Sequence, residues 1–189
     1  MGGAKLHLGC GRRFLAGWIH VDIGDFEHID VRTSISDLSD FKNDSASVIY
    51  CSHTLEYLDR AEAQHALTEW HRVLSNEGWL YLAVPDIQAL LKIYVMTGRL
   101  ETILGPLFGR IRIEGTEVFA YHKTVYDEQS LGALMRSCGF KQIEAYDPVE
   151  FLQQQDKNFD DHSLAYYPHM DRSGVQVSLC LRGQSSKLL

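Results

Sequence analysis

The sequence predicts a doubly wound α/β domain, and three observations carry that prediction. Lys5-Leu6-His7-Leu8 is an apolar run that opens into the turn Gly9-Cys10-Gly11. A second apolar run, Trp18-Ile19-His20-Val21, ends in the carboxylate of Asp22, eleven residues after Gly11. Trp79-Leu80-Tyr81-Leu82-Ala83-Val84 is apolar without alternation, as in a strand covered on both faces, which is the habit of parallel sheets. The first turn brings bare backbone close to a ligand, and a carboxylate ending the neighbouring strand accepts hydrogen bonds from ribose hydroxyls.

In chain order, strands are predicted at 5–9, 18–23, weakly at 29–33, then at 46–51, 78–84, 141–146 and 174–182. Gly9 to Trp18 is too short for an ordinary crossover helix, so the first helix should shrink to a turn or two. Between the fourth and fifth strands, Ala63, Ala66, Leu67, Trp70, Val73 and Leu74 recur at helical period, with Glu62, Gln64, Glu69 and Arg72 opposite them. Pro85 ends the fifth strand, and a helix is expected at 87–96. Asp127 is a good N-cap for a helix carrying Leu131, Leu134, Met135 and Cys138 inward, stopped by Gly139. The segments 86–126 and 147–173 are long and irregular, the usual character of substrate-side insertions.

A length of 189 residues, 45% of them hydrophobic, supports one domain spanning 1–189 with one well-buried core. The net charge of -7, with no basic run longer than Arg12-Arg13, argues against nucleic acid as a partner. Cys10, Cys51, Cys138 and Cys180 form no CxxC pair, which points to a reduced, cytoplasmic setting. No apolar window reaches the roughly 18 residues of a membrane span, and no secretory signal is expected. Asp156, Asp160, Asp161, His162, His169 and Asp171 are scattered, and they read as a solvated loop rather than a metal site.

Together these pieces resemble a class I S-adenosylmethionine-dependent methyltransferase, in particular the small bacterial, type 11-like group associated with polysaccharide or lipid modification. Leu8-Gly9-Cys10-Gly11 is similar to that family's first motif, and Asp22 to the acidic end of its second strand. Val48 to His53, followed by Leu55-Glu56-Tyr57-Leu58, is similar to its fourth strand and Leu-Glu-His segment. Arg72-Val73-Leu74 through Gly78, Val84-Pro85-Asp86, His122-Lys123 and Cys138-Gly139-Phe140 complete the likeness. The chain departs from the pattern at His7, Arg13, Ser47 and Tyr57, where the family has an acid, a third glycine, an aspartate and a histidine. The resemblance implies a Rossmann-like, three-layer α/β/α fold whose seven-stranded sheet has the order 3-2-1-4-5-7-6, the last strand antiparallel. It also implies S-adenosylmethionine as cofactor, held by His7, Gly9, Cys10, Gly11, Asp22, Ile23, Asp37, Leu38, Ser52 and His53.

Methyl transfer to a hydroxyl needs a proton acceptor, and histidine is the side chain best matched to neutral pH. His53 and His122 are the candidates, with Glu56 a weaker third. Arg99, Arg110 and Arg112 are read as a charged solvent face, with the grip of a substrate phosphate or carboxylate as the other use. The expected acceptor is a small molecule or glycan precursor methylated at oxygen, and the expected assembly is a monomer or homodimer. Two other readings stand beside this one: a non-catalytic cofactor-binding module, and a nicotinamide-dependent oxidoreductase. The latter expects a third glycine and about 20 residues before its acidic residue.

Overall fold

In the computed structural model, which describes residues 3–169 and 172–187, seven strands form a mixed sheet. They are β1 (Ala4–Leu8), β2 (Ile19–Asp22), β3 (Val31–Arg32), β4 (Ala46–Ser52), β5 (Leu74–Pro85), β8 (Phe140–Ala145) and β11 (Ser178–Ser185). Their order is β3-β2-β1-β4-β5-β11-β8, which is the expected 3-2-1-4-5-7-6. β1 to β5 are parallel, and β11 runs antiparallel between β5 and β8. Outside the sheet lie the hairpin of β6 (Arg110–Arg112) with β7 (Phe119–Tyr121) and the pair β9 (Tyr166–Tyr167) with β10 (Val175–Gln176).

The helices are α1 (Arg60–Val73), α2 (Ile87–Thr97), α3 (Glu101–Phe108), α4 (Glu128–Ser137) and α5 (Pro148–Gln155). α1 starts at a capping box, Asp59 accepting from the Ala61 and Glu62 amides while Glu62 accepts from the Asp59 amide. Its predicted apolar stripe is fully buried and packs, with Leu131 and Met135 of α4, against Leu6, Leu8, Ile49, Leu80 and Leu82 on one face of the sheet. Trp70 also donates its indole N–H to the Ile35 carbonyl, and the Arg72 guanidinium donates to the Leu38 and Phe41 carbonyls. These bonds draw the irregular chain after β3 onto α1.

The first crossover is shorter than expected. Residues 10–18 contain no helix at all, only turns closed by Arg13 N–H to Cys10 O and Trp18 N–H to Leu15 O. Another element must therefore cover that face of the sheet, and α5 does so: Phe151 and Leu152 pack with Leu15, Trp18 and Tyr50 in a second core. The Phe151 ring stacks on Tyr81 at 4.1 Å between centroids. Part of the predicted 147–173 insertion is thus a structural substitute for a helix that ten residues cannot build.

Three further boundaries differ from expectation. The predicted strand 174–182 divides, because β10 pairs with β9 inside the insertion before β11 joins the sheet. The fifth strand begins directly after α1, at Leu74 rather than residue 78. Residues 98–126 are better ordered than their glycines suggest, containing α3 and the β6-β7 hairpin.

Candidate functional site

The carboxyl ends of β1, β2 and β4 open into a cavity of about 720 Å³. One end is lined by Gly9 to Arg13, Asp22 to Gly24, Phe26, Ser34, Ile35 and Ser52 to Thr54. The other is lined by Glu56 to Leu58, by the lid of α3 and the β6-β7 hairpin, and by His122, His162, Ala165 and Val177. The lid reaches across to the first end, where the Asp25 amide donates to the Glu114 carbonyl.

Gly9 sits at φ 62°, and a Cβ built there would lie 2.3 Å from Thr54 Oγ1, so only glycine fits. Thr54 in turn donates to the Gly9 carbonyl at 3.2 Å, tying the first loop to the end of β4. Asp22 Oδ2 accepts from the Gly11 amide at 2.8 Å and Oδ1 from the Gly24 amide at 2.7 Å. The carboxylate therefore braces two loops while still lining the cavity, with lone pairs left for a ligand. Ile23 is 43% exposed beside it, an apolar side chain that a planar base would cover.

The remaining sequence candidates are distributed as follows. Cys10 lines the cavity, but burial pushes its thiol up to about 12, so it is no nucleophile at neutral pH. His7, Asp37 and Leu38, also expected against the cofactor, do not line the cavity. His7 is buried beside Tyr50 and Phe159, and desolvation pulls its imidazole down to about 3, leaving it neutral. Asp37 is exposed and accepts from the Ser39 amide, closing a turn, while Leu38 is a core residue. The hold of α1 on this segment leaves Ser34 and Ile35 at the cavity instead. Arg110 and Arg112 line the lid end, Arg99 does not, and Asp171 lies outside the described residues.

Asp161 does not line the cavity but braces two residues that do, Ser52 and Arg13, a role its scattered spacing concealed. It is buried, accepts from the Ser52 hydroxyl and the Ser163 amide, and lies 3.8 Å from Arg13 Nε. Arg13, in the place of a loop glycine, is thereby anchored to the 156–165 segment, where its Nε also donates to the Asp160 carbonyl. Burial alone would raise the Asp161 carboxyl, but the Ser52 and Ser163 hydrogen bonds and Arg13 outweigh it and hold it below the ordinary range. A depressed folded-state value gives stability that is present above the unfolded value near 4 and lost as pH falls through the folded one. In urea titrations, the stability advantage of wild type over Asp161→Asn should shrink steadily between pH 5.5 and pH 3. An advantage unchanged over about that range would contradict the assignment.

At the lid end, Glu56 is buried with neither carboxylate oxygen hydrogen-bonded. Its Oε1 lies 3.4 Å from His53 Nδ1 and 3.8 Å from His122 Nε2, so the fold brings both predicted histidines onto one carboxylate. His53 Nε2 is 2.7 Å from Ser178 Oγ, so both of its nitrogens are engaged. His122 Nδ1 is 2.8 Å from the Pro106 carbonyl, an acceptor only, which assigns the proton to Nδ1 and a lone pair to Nε2. Gly109 makes room for this ring, since a Cβ there would fall 2.5 Å from it. Tyr57 packs edge-on against the same ring, 4.5 Å between centroids. Among the described residues no group of three or more His, Cys, Asp or Glu side chains could hold a metal ion.

Residues 24–82 match the family model described as a methyltransferase domain. No curated protein matches the sequence. Solved structures do resemble the fold. A SAM-dependent methyltransferase from Methanosarcina mazei is 16% identical, with 99% of this chain and 94% of that one covered and a TM-score of 0.56. One from Archaeoglobus fulgidus is 14% identical, with 97% and 86% covered and a TM-score of 0.57. The Burkholderia thailandensis 1,6-didemethyltoxoflavin-N1-methyltransferase, solved with 1,6-didemethyltoxoflavin and S-adenosylhomocysteine, is 11% identical, with 98% and 72% covered and a TM-score of 0.57. The chain thus has the α/β fold of S-adenosylmethionine-dependent methyltransferases, and the matched family model implies S-adenosylmethionine as its cofactor.

Proposed function

We propose that the chain transfers a methyl group from S-adenosylmethionine to an oxygen of a small-molecule or glycan-precursor acceptor. The observation that carries this reading is a single cavity with a nucleotide-type lining at one end and the His53, Glu56 and His122 cluster at the other.

The residues present fit the cofactor. Gly9 and Gly11 offer bare backbone for its methionine end, Asp22 offers acceptors for a ribose diol, and Ile23 with Ile35 offers apolar surface to its base. When bound, the cofactor supplies a methyl group on a sulfonium, activated for in-line displacement. The protein then has to orient the acceptor and take its proton.

His122 Nε2 is the proton acceptor in this reading. With the cofactor bound to supply the methyl group, Nε2 would take the proton that the acceptor hydroxyl gives up. The resulting imidazolium faces the Glu56 carboxylate, and that attraction lowers the cost of the charge. His53 is a positioning residue here: its Nε2 is hydrogen-bonded with the Ser178 hydroxyl, and its Nδ1 faces Glu56. The Ser178 hydroxyl also donates to the His162 carbonyl at 3.1 Å, which ties it to the segment that carries Asp161.

Calorimetry with S-adenosylhomocysteine tests the cofactor site directly. Micromolar binding is expected, weakened roughly tenfold in Asp22→Ala for the loss of a charge-assisted hydrogen bond. A folded sample that takes up no S-adenosylhomocysteine would overturn the reading. Turnover of a hydroxylated acceptor panel then separates an enzyme from a binding module.

A further inference from the structure

The described residues expose fourteen large apolar side chains, and twelve of them lie between Leu91 and Val125. Leu91, Tyr94 and Val95 line the outer side of α2 at helical spacing, with Leu90 and Ile93 turned into the protein. Leu100, Leu104 and Phe108 repeat every four residues along α3, opposite the buried Ile103. Val95 is 82% exposed and Phe108 67%. On the hairpin, the Arg110 guanidinium lies 3.5 Å from the Phe119 ring centroid, and its Nε donates to the Tyr121 hydroxyl. Isolated exposed apolar residues are ordinary, but so many within one stretch of the chain point to an interaction surface.

Charge says what covers it. Residues 87–121, the span of these three elements, hold Lys92, Arg99, Arg110 and Arg112 against Glu101, Glu114 and Glu117, a net of +1 within a chain of -7, so the rest of the chain carries -8. Arg112 pairs with Glu117, whereas Lys92, Arg99 and Arg110 have no carboxylate partner among the described residues. Apolar side chains interleaved with unpaired cations suit an anionic lipid–water interface, where the apolar groups enter the acyl boundary and the cations meet the headgroups. A two-fold contact with a second copy would instead press this positive segment against itself.

We propose that the outer face of α2, α3 and the β6-β7 hairpin docks onto an anionic lipid surface. The inner side of the same lid walls the cavity, through Gly105, Pro106 and Ala120 among others. Docking therefore holds the acceptor end of the cavity against the interface, and, resting on the proposed function, selects an amphiphilic acceptor.

Flotation of the full chain with vesicles of phosphatidylcholine, alone or mixed with phosphatidylglycerol, tests this. The protein should rise with the mixed vesicles at low salt and much less with phosphatidylcholine alone or at high salt. Arg99→Gln should weaken that binding roughly fivefold. The pair Val95→Ser and Phe108→Ser should abolish it while leaving the melting temperature and S-adenosylhomocysteine affinity unchanged. Absence from both vesicle types, or equal binding to both, would overturn the proposal. So would a doubled molar mass in light scattering that the same pair of substitutions halves. S-adenosylhomocysteine binding is read separately, so failure here is distinguishable from failure of the proposed function.

Discussion

His122→Asn is expected to lower kcat by about 10²- to 10⁴-fold, the range for loss of a positioned general base, while S-adenosylhomocysteine affinity stays within about twofold. The measurement is turnover of whichever acceptor of the panel is methylated, beside calorimetry on the same sample. The charge behind the expectation is Glu56. An imidazolium about 4 Å from a carboxylate gains about 4 kcal/mol at an effective dielectric constant near 20, before the cost of desolvation, and the observed separation is 3.8 Å. Glu56→Gln keeps the shape and removes that charge, so it should fall in the same direction. The double variant should be little worse than His122→Asn alone, because the two groups act as a unit. His53→Asn, which acts only through the orientation of Glu56, should cost less. Undiminished turnover in His122→Asn would mean that the proton leaves by another route.

Gly9→Ala carries the second large effect. Its Cβ would lie 2.3 Å from Thr54 Oγ1 and 2.4 Å from Cγ2, at a φ of 62°. The left-handed conformation costs about 1–2 kcal/mol for a residue with a Cβ, and the overlap adds about 1–3 kcal/mol. For a domain of this size that is a fall of about 5–15 °C in melting temperature, with weakened S-adenosylhomocysteine binding. Gly11 has a similar φ, 55°, but open space around it, so Gly11→Ala should lose only the conformational part. Melting curves for the two variants, side by side, separate the terms, and equal losses would remove the Thr54 contact from the account.

The proposed proton acceptor, His122, and its partner Glu56 were both legible as candidates from the Leu-Glu-Tyr and His-Lys segments, but not as partners. They are separated by sixty-odd residues, and the contact exists because the backbone amides of Lys123 and Thr124 hang from the Glu56 carbonyl. Asp161 was visible only as one of several scattered acids. Its role depends on Arg13, in the loop after β1, and Ser52, at the end of β4. Ser34 and Ile35 had a usable signal, their position just beyond the carboxyl end of a parallel strand, where open α/β sheets place their ligands.

What the sequence by itself determined is local and periodic. The apolar runs of β1, β2, β4 and β5, the stripe of α1 and the caps at Asp59 and Asp127 depend on residues a few positions apart, so they can be read one segment at a time. The order of the sheet followed from their succession through the family resemblance. Only the tertiary structure decided what covers the face left bare by the short first crossover, because Leu15, Trp18 and Tyr50 meet Phe151 and Leu152 from the far end of the chain. It also decided that Asp37 and Leu38 fall short of the cavity, since α1 draws their segment away through Trp70 and Arg72. Contacts between segments so distant depend on side-chain packing across the whole sheet, and no short-range pattern in the chain encodes them.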